Sequence, residues 1–368
     1  MDDQENYHLE LKPNQPKWRR QLKLGRGKKY FFACLIVIIA AGLGLWGWMT
    51  WHPVNFAAKP VGYVAPPKPA PVYYSPLSGR KVDSLALTKR PVTAVMIENS
   101  PWARPQSGLK QADVVFEAIA EGGITRFMAL YQESQPSLLG PVRSLRPYYA
   151  EWGYAFDDSM AHVGGSNAAK RMIRSGKYGV DLEQMFNGSY YWRSKDRYAP
   201  HNVYTNFKKL NALNKKKGHT TSKFDGFERK DDQPSKSPSA KTINIDISSD
   251  LYNVKYVYDA KDDSYWRYMA GKKHMDREKG QIKPKVVIVI KVSEYTIPGG
   301  THGRQDIQTT GSGTCYVFQD GTAQKCTWKK ASAKSQLHFL DKNGKDIALN
   351  RGQTWITAQP TGHSLKWQ

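Results

Sequence analysis

Two arginines three positions apart, Arg143 and Arg146, stand where GPVRSLRPYY runs into a stretch with apolar and aromatic residues at helical spacing. A cation at a helix start opposes the helix dipole by up to about 1 kcal/mol. Guanidinium forks beside free backbone N–H groups make sense there as an anion site. Pairing with a nearby carboxylate is the competing use. Farther on, His162-Val163-Gly164-Gly165-Ser166-Asn167 reads as a strand end, a glycine-rich turn and a helix start. Such a turn also cradles anions, although Ser166 can serve only as an N-cap. Glu117 and Glu121 sit beside a hairpin turn, where acid–base work would need a cleft, and pairing with Arg126 competes. The loop DRYAPHNVY, residues 196–204, brings Arg197, His201 and Asn202 around Pro200, and loops dense in such groups are common at sites. Glu121, His162 and His201 are thus the candidate catalytic groups. Arg126, Arg143, Arg146, Gly164, Gly165, Ser166, Arg197 and Asn202 are the candidate anion ligands.

The elements that must position them follow from apolar patterning. Residues 92–97 (VTAVMI) read as a buried strand, and 113–118 with 124–131 as a hairpin around Gly122-Gly123. A helix follows Ser144, a strand covers 159–163, and the helix AAKRMIRSG stops at Gly176. In the second half, 242–248 and 252–259 read as strands, and the β-branched run 286–292 as a central one. Asp320-Gly321 and Asn343-Gly344 mark two-residue turns, and 354–359 a last strand.

A turn at Asp320-Gly321 sets Cys315 and Cys326 opposite one another across the hairpin 313–328. Opposed Cα atoms lie about 4.5–5.5 Å apart, within disulfide range, so a Cys315–Cys326 bridge is expected. His274-Met275-Asp276 and Thr301-His302-Gly303 are isolated, with no HExxH and no paired CxxC. No phosphate-binding loop and no GxGxxG ahead of a helix occurs, so neither a metal nor a nucleotide cofactor is expected.

Residues 30–51 are apolar without a single charge, long enough as a helix to span a bilayer core of about 30 Å. Lys17, Arg19, Arg20, Lys23, Arg26, Lys28 and Lys29 precede the stretch, and no acid lies among residues 11–29. The positive-inside bias makes 1–29 a basic cytoplasmic tail and the rest extracytoplasmic, with Trp46, Trp48 and Trp51 at the outer interface. The apolar run is too long for a cleaved signal, and it follows Cys34 where a lipidation signal would precede the cysteine. Prolines crowd 52–76, a semi-rigid stalk, and a polar stretch, 214–241, separates segments 77–213 and 242–368. The fold class expected is α/β (α+β): an anchor helix, an α/β domain over 77–213 and a β-rich domain over 242–368. The net charge of +23 is spread over all segments. Such a surface draws polyanions, whereas solubility alone is the plainer explanation.

ADVVFEAIAEGGITRFMALYQ (112–132), GPVRSLRPYY (140–149), HVGGS (162–166) and DRYAPHNVYT (196–205) resemble the YerB-like family, the domain-of-unknown-function 3048 family. GSGTCYVFQDGTAQKCTWKK (311–330) and LNRGQTWITAQP (349–360) are similar to its C-terminal half. The resemblance implies an α/β N-terminal domain, a β-rich C-terminal domain and an extracytoplasmic, membrane-attached location. Many members look like lipoproteins, from which this chain departs in its helical anchor. No activity comes with the family. The expected function is an envelope protein that binds an anionic glycopolymer or a wall-associated partner. The alternative is an envelope hydrolase or transferase on a glycan or phosphodiester. A nucleic-acid partner is disfavoured by location and by the lack of a motif.

Overall fold

The computed structural model describes residues 27–52, 70–299 and 303–368. The expected tail up to residue 26 and the stalk over 53–69 lie outside the described residues. The chain divides into two compact units, 1–69 and 70–368. In the first, α1 spans Gly27–Trp51. Its Tyr30–Trp51 portion, of mean hydropathy 2.2, is long and apolar enough to cross a membrane. Apolar residues occupy every side of it.

The second unit is organised by one ten-stranded sheet. In spatial order its strands are His338–Leu340, Thr322–Lys330, Gly311–Gln319, Val286–Val292, Thr354–Pro360, Val114–Glu121, Ile124–Tyr131, Val92–Glu98, Asp158–Ala161 and Val180–Asp181. Thr354–Pro360 runs parallel to Val286–Val292 on one side and to Val114–Glu121 on the other. Val92–Glu98 is parallel to Asp158–Ala161, and Ile124–Tyr131 is antiparallel between its neighbours. The sheet therefore crosses the division expected between 77–213 and 242–368, and these segments are not separate bodies. The reason is the Val114–Glu121 edge, whose apolar residues are buried and whose backbone groups need a partner strand.

Alternate side chains feed two cores. Phe116, Met128, Ile288 and Ile356 pack against helices α2 (Pro147–Tyr154) and α3 (Asn167–Arg174). Val115, Phe127, Val287 and Trp355 point the other way. They meet a five-stranded sheet ordered Lys272–Lys273, Ser264–Met269, Val254–Asp259, Thr242–Ile245 and Leu365–Trp367. Coverage of both faces explains why Val92–Glu98 is buried along its whole length. Between the layers Arg267 donates to Glu117 at 2.7 Å, both side chains fully buried. Trp355 and Thr125 donate to the same carboxylate, and Arg267 Nε donates to His274 Nδ1 at 2.9 Å. Burial, and then the Arg267 charge, push the His274 pKa well down.

Two expected boundaries shift. Tyr73–Tyr74 pairs with Lys81–Val82, and Ser75 and Leu77 are buried, so 73–76 belong to the globular unit and not to the stalk. The segment 214–241 is strapped down and does not act as a free linker. Arg229–Lys230 pairs in parallel with Leu349–Asn350, and Lys230 Nζ donates to Asp320 at 2.6 Å. Asp320 (φ 56°) and Gly321 (φ 72°) form the primed turn expected of a two-residue hairpin. The Asp320 side chain, accepting from Lys230, Gln233 N and Asn350, holds that left-handed backbone in place. Register is kept, so Cys315 faces Cys326 with Cα atoms 4.8 Å apart, and the disulfide forms.

Candidate functional site

Glu98, Glu121 and His162 each stand at or just past the carboxyl end of strands that run in one direction: Val92–Glu98, Val114–Glu121 and Asp158–Ala161. Open α/β sheets bind ligands at this edge. The segment 139–146 threads along it. Arg143 N donates to Met96 O, Val163 N to Arg143 O, and Leu145 N to Gly164 O. The expected site residues come to this edge, but they divide into three groups.

Arg146 precedes α2 as its N-cap residue, and its guanidinium folds back onto Glu121. Arg126 donates to the other Glu121 oxygen at 2.9 Å and to Ser144 O. Burial alone would raise the Glu121 pKa, but the Arg126 and Arg146 charges outweigh it and hold the carboxyl down to about 2. Both arginine side chains are nearly buried, and a buried cation needs a paired anion. Glu121 is thus a carboxylate clamped between two cations. The expected joint anion site of Arg143, Arg146 and the glycine turn does not form, because Glu121 already holds the Arg146 guanidinium while Arg143 stands apart beside Glu98.

His162 is fully buried, Nδ1 2.8 Å from Gly164 O and Nε2 3.1 Å from Asp181. Gly164 is left-handed (φ +65°), and a side chain on Gly165 would press on Leu145 O at 3.0 Å. Ser166 accepts from Ala169 N and caps α3. The turn therefore locks 145 against 165 and serves the architecture.

The third group adjoins an open cleft: Glu98, Ser100 and Asn202 are buried, and His201 lines the cleft. Glu98 Oε1 lies 2.8 Å from His201 Nδ1 and 3.5 Å from Arg143 Nε. Ser100 Oγ is 3.3 Å from the same ring nitrogen. Asn202 is turned inward, accepting from Arg193 and donating to Ser194 O. Arg197 donates to Trp102 O and Pro105 O, fixing the loop 100–105 against 196–201. A cleft of about 400 Å³ between them is lined by Trp102, Asp196, Arg197, Tyr198 and His201. Trp102 is 78% and Tyr198 92% exposed, so both rings present their faces to solvent. Across the same loop lies a second cleft of about 440 Å³. Pro101, Arg104 and Pro105 face Leu251, Met269 and a turn that brings Lys272, Lys273 and His274. Arg104 ties the loop to the second half of the chain by donating to Leu251 O, and it braces the loop locally by donating to Asn99. The two clefts carry Arg104, Arg197, Lys272 and Lys273 against one carboxylate, Asp196, which is itself paired with Arg277.

Sequence reasoning reached Arg143, Arg197 and His201 but missed Glu98, Trp102, Arg104, Tyr198, Lys272 and Lys273. The SPWARP run was the available signal, an exposed-looking Trp and Arg bracketed by prolines straight after a buried strand. Among the described residues no group of three or more His, Cys, Asp or Glu is arranged to hold a metal ion.

Two family profiles match in order. Residues 77–220 match the N-terminal domain, and 243–356 the C-terminal domain, of "Protein of unknown function (DUF3048)". A protein of Bacillus subtilis (strain 168) named "Putative lipoprotein YerB" is 33% identical over 300 residues, spanning 80% of this chain and 89% of the relative. A crystal structure of YerB protein from Bacillus subtilis has a TM-score of 0.72 to this chain at 31% identity, covering 80% of this chain and 99% of that one.

Proposed function

The chain belongs to the DUF3048 (YerB-like) family, and from that premise we propose an envelope protein, held at a membrane by α1, that binds an anionic glycopolymer in the two clefts beside loop 100–105. One observation carries the reading: two adjoining clefts join four cations to two widely exposed aromatic rings. Rings of this kind present flat apolar faces for sugar rings, while the cations draw the charged units of a polymer. The +23 net charge supplies long-range attraction of the same sign. The relative's name carries the word lipoprotein, which supports membrane attachment here by a different device. The basic residues before α1 favour a cytoplasmic N-terminus and an outward-facing globular unit.

The test is co-sedimentation of the full chain in detergent with wall fractions, alongside a neutral glucan and duplex DNA. Retention by the anionic wall fraction alone, falling as salt rises, is the expected result. Equal retention by DNA would replace the reading with unspecific charge, and no retention would remove it. The alternative of an envelope hydrolase draws on one observation, the Glu98–His201 contact.

A further inference from the structure

We propose that Glu98, His201 and Arg143 form a water-activating centre that hydrolyses carboxylic esters. The proposal rests on the polymer reading only for the identity of its natural substrate.

Glu98 closes its strand with a side chain only 5% exposed. Its Oε1 accepts from His201 Nδ1, while its buried Oε2 has no partner among the described residues. A buried carboxylate oxygen left unpaired is costly, and such groups collect where a ligand or reaction needs them. His201 lines the cleft, and its Nε2 takes no partner among the described residues. Arg143 stands beside the pair with its terminal amines free of described partners, its main chain fixed by Met96 and Val163. This is the arrangement of a general base: one ring nitrogen held by a carboxylate, the other open to the reactant.

Ser100 is not the nucleophile. A serine–histidine–acid triad places serine and acid on opposite ring nitrogens, whereas Ser100 and Glu98 share Nδ1. The nucleophile is therefore water. His201 Nε2 takes a water proton as the water oxygen bonds to the ester carbonyl carbon. The C=O electron pair moves onto oxygen, where the Arg143 guanidinium balances the charge. The carbonyl re-forms, the bond to the alkoxy oxygen breaks, and Nε2 returns the proton to that oxygen. A carboxylic acid and an alcohol leave. Glu98 is a positioning residue that orients the ring and balances its transient charge. One imidazole can serve both steps because the nucleophile and the leaving group share one tetrahedral carbon. An in-line displacement at phosphorus puts them on opposite sides and needs groups at both, which favours an ester over a phosphodiester.

The experiment measures hydrolysis of p-nitrophenyl acetate and bis(p-nitrophenyl) phosphate by the full chain in detergent, with helix content and melting checked for each variant. His201→Gln is expected to lower kcat/KM for the acetate by about 100-fold. Glu98→Gln should lower it by about 10-fold or more and move the inflection of the pH–rate profile, which loss of folded protein alone does not do. Arg143→Ala should lower kcat, with part restored by Arg143→Lys. His338→Gln, remote and paired with Asp346, should leave the rate unchanged and so report background esterolysis. Should Glu98→Gln fail to fold, His201→Gln and His201→Asn decide alone. A wild-type rate no faster than that of His201→Gln, or absent, overturns the centre. Polymer retention is scored on the same preparations. A chain that retains polymer without hydrolysing ester loses this centre alone, and one that hydrolyses without retaining loses the polymer site alone.

Discussion

Glu98 Oε1 lies 2.8 Å from Nδ1 of His201, a residue 103 positions farther along the chain. The contact joins the carboxyl end of the buried strand Val92–Glu98 to the loop that carries Arg197 and Tyr198. It places the open cleft at the sheet edge where parallel strands end. It also stands apart from the clamp that keeps the fold, Glu121 with Arg126 and Arg146.

The Glu121 clamp predicts an acid-sensitive contribution to stability. A carboxyl held at about 2, against an ordinary 4.5, stabilises fully above 4.5 and loses that contribution as pH falls toward 2. Glu121→Gln leaves two nearly buried cations without an anion and is expected to cost about 3 kcal/mol at pH 7. Denaturant unfolding at pH 7 and near pH 2 should show the gap to wild type shrinking. A gap of equal size at both would contradict the clamp.

Asp158 predicts the opposite trend. Both of its carboxylate oxygens are buried without a partner among the described residues, and burial pushes its pKa up to about 8. Gly153 and Gly179 make room for it, since a side chain at either would meet its oxygens within 2.7 Å. The folded state holds the proton that the unfolded chain releases near 3.8, so stability falls as pH rises from about 4 to 8. Asp158→Asn should match wild type near pH 4 and exceed it at pH 8 by a few kcal/mol. A variant no more stable than wild type at pH 8 would mean that the carboxylate has a partner.

The Cys315–Cys326 bridge closes a short loop with a sequence separation of 11 and lies in the helix-side core beside Trp328. Removing it is expected to cost about 2–3 kcal/mol. Dithiothreitol should lower the melting temperature of the wild type and leave a Cys315→Ala/Cys326→Ala chain unmoved. A wild type indifferent to the reductant would show that the bridge adds nothing.

Most strands were legible because their apolar runs and turn residues act locally. Val286–Val292 and the hairpin around Asp320-Gly321 follow from β-branched content and from a turn that tolerates positive φ. The cysteine pairing followed from the same turn, since a two-residue loop fixes the register. The union of the two halves was not legible, because the pairing of Thr354 with Val114 spans most of the chain and leaves no local mark. Nor did the sequence reveal which arginines were already neutralised. Arg146 and Arg143 look alike by position, yet one is clamped by Glu121 and the other stands beside Glu98 and His201. Lys272 and Lys273 lie in a short exposed hairpin, and only the fold brings them to Arg104.

The most direct test of the polymer site is charge reversal on the cleft rim. The full chain in detergent is titrated with a purified anionic wall polymer, and affinity is read by calorimetry for wild type, Lys272→Glu/Lys273→Glu and the control Lys325→Glu/Lys329→Glu. All four lysines are exposed, and both pairs change the net charge equally. A drop of about 10-fold or more for the cleft pair, with the control pair within about 2-fold of wild type, is the expected result. Equal losses from the two pairs would show that the polymer meets diffuse charge and that the clefts beside loop 100–105 do not hold it.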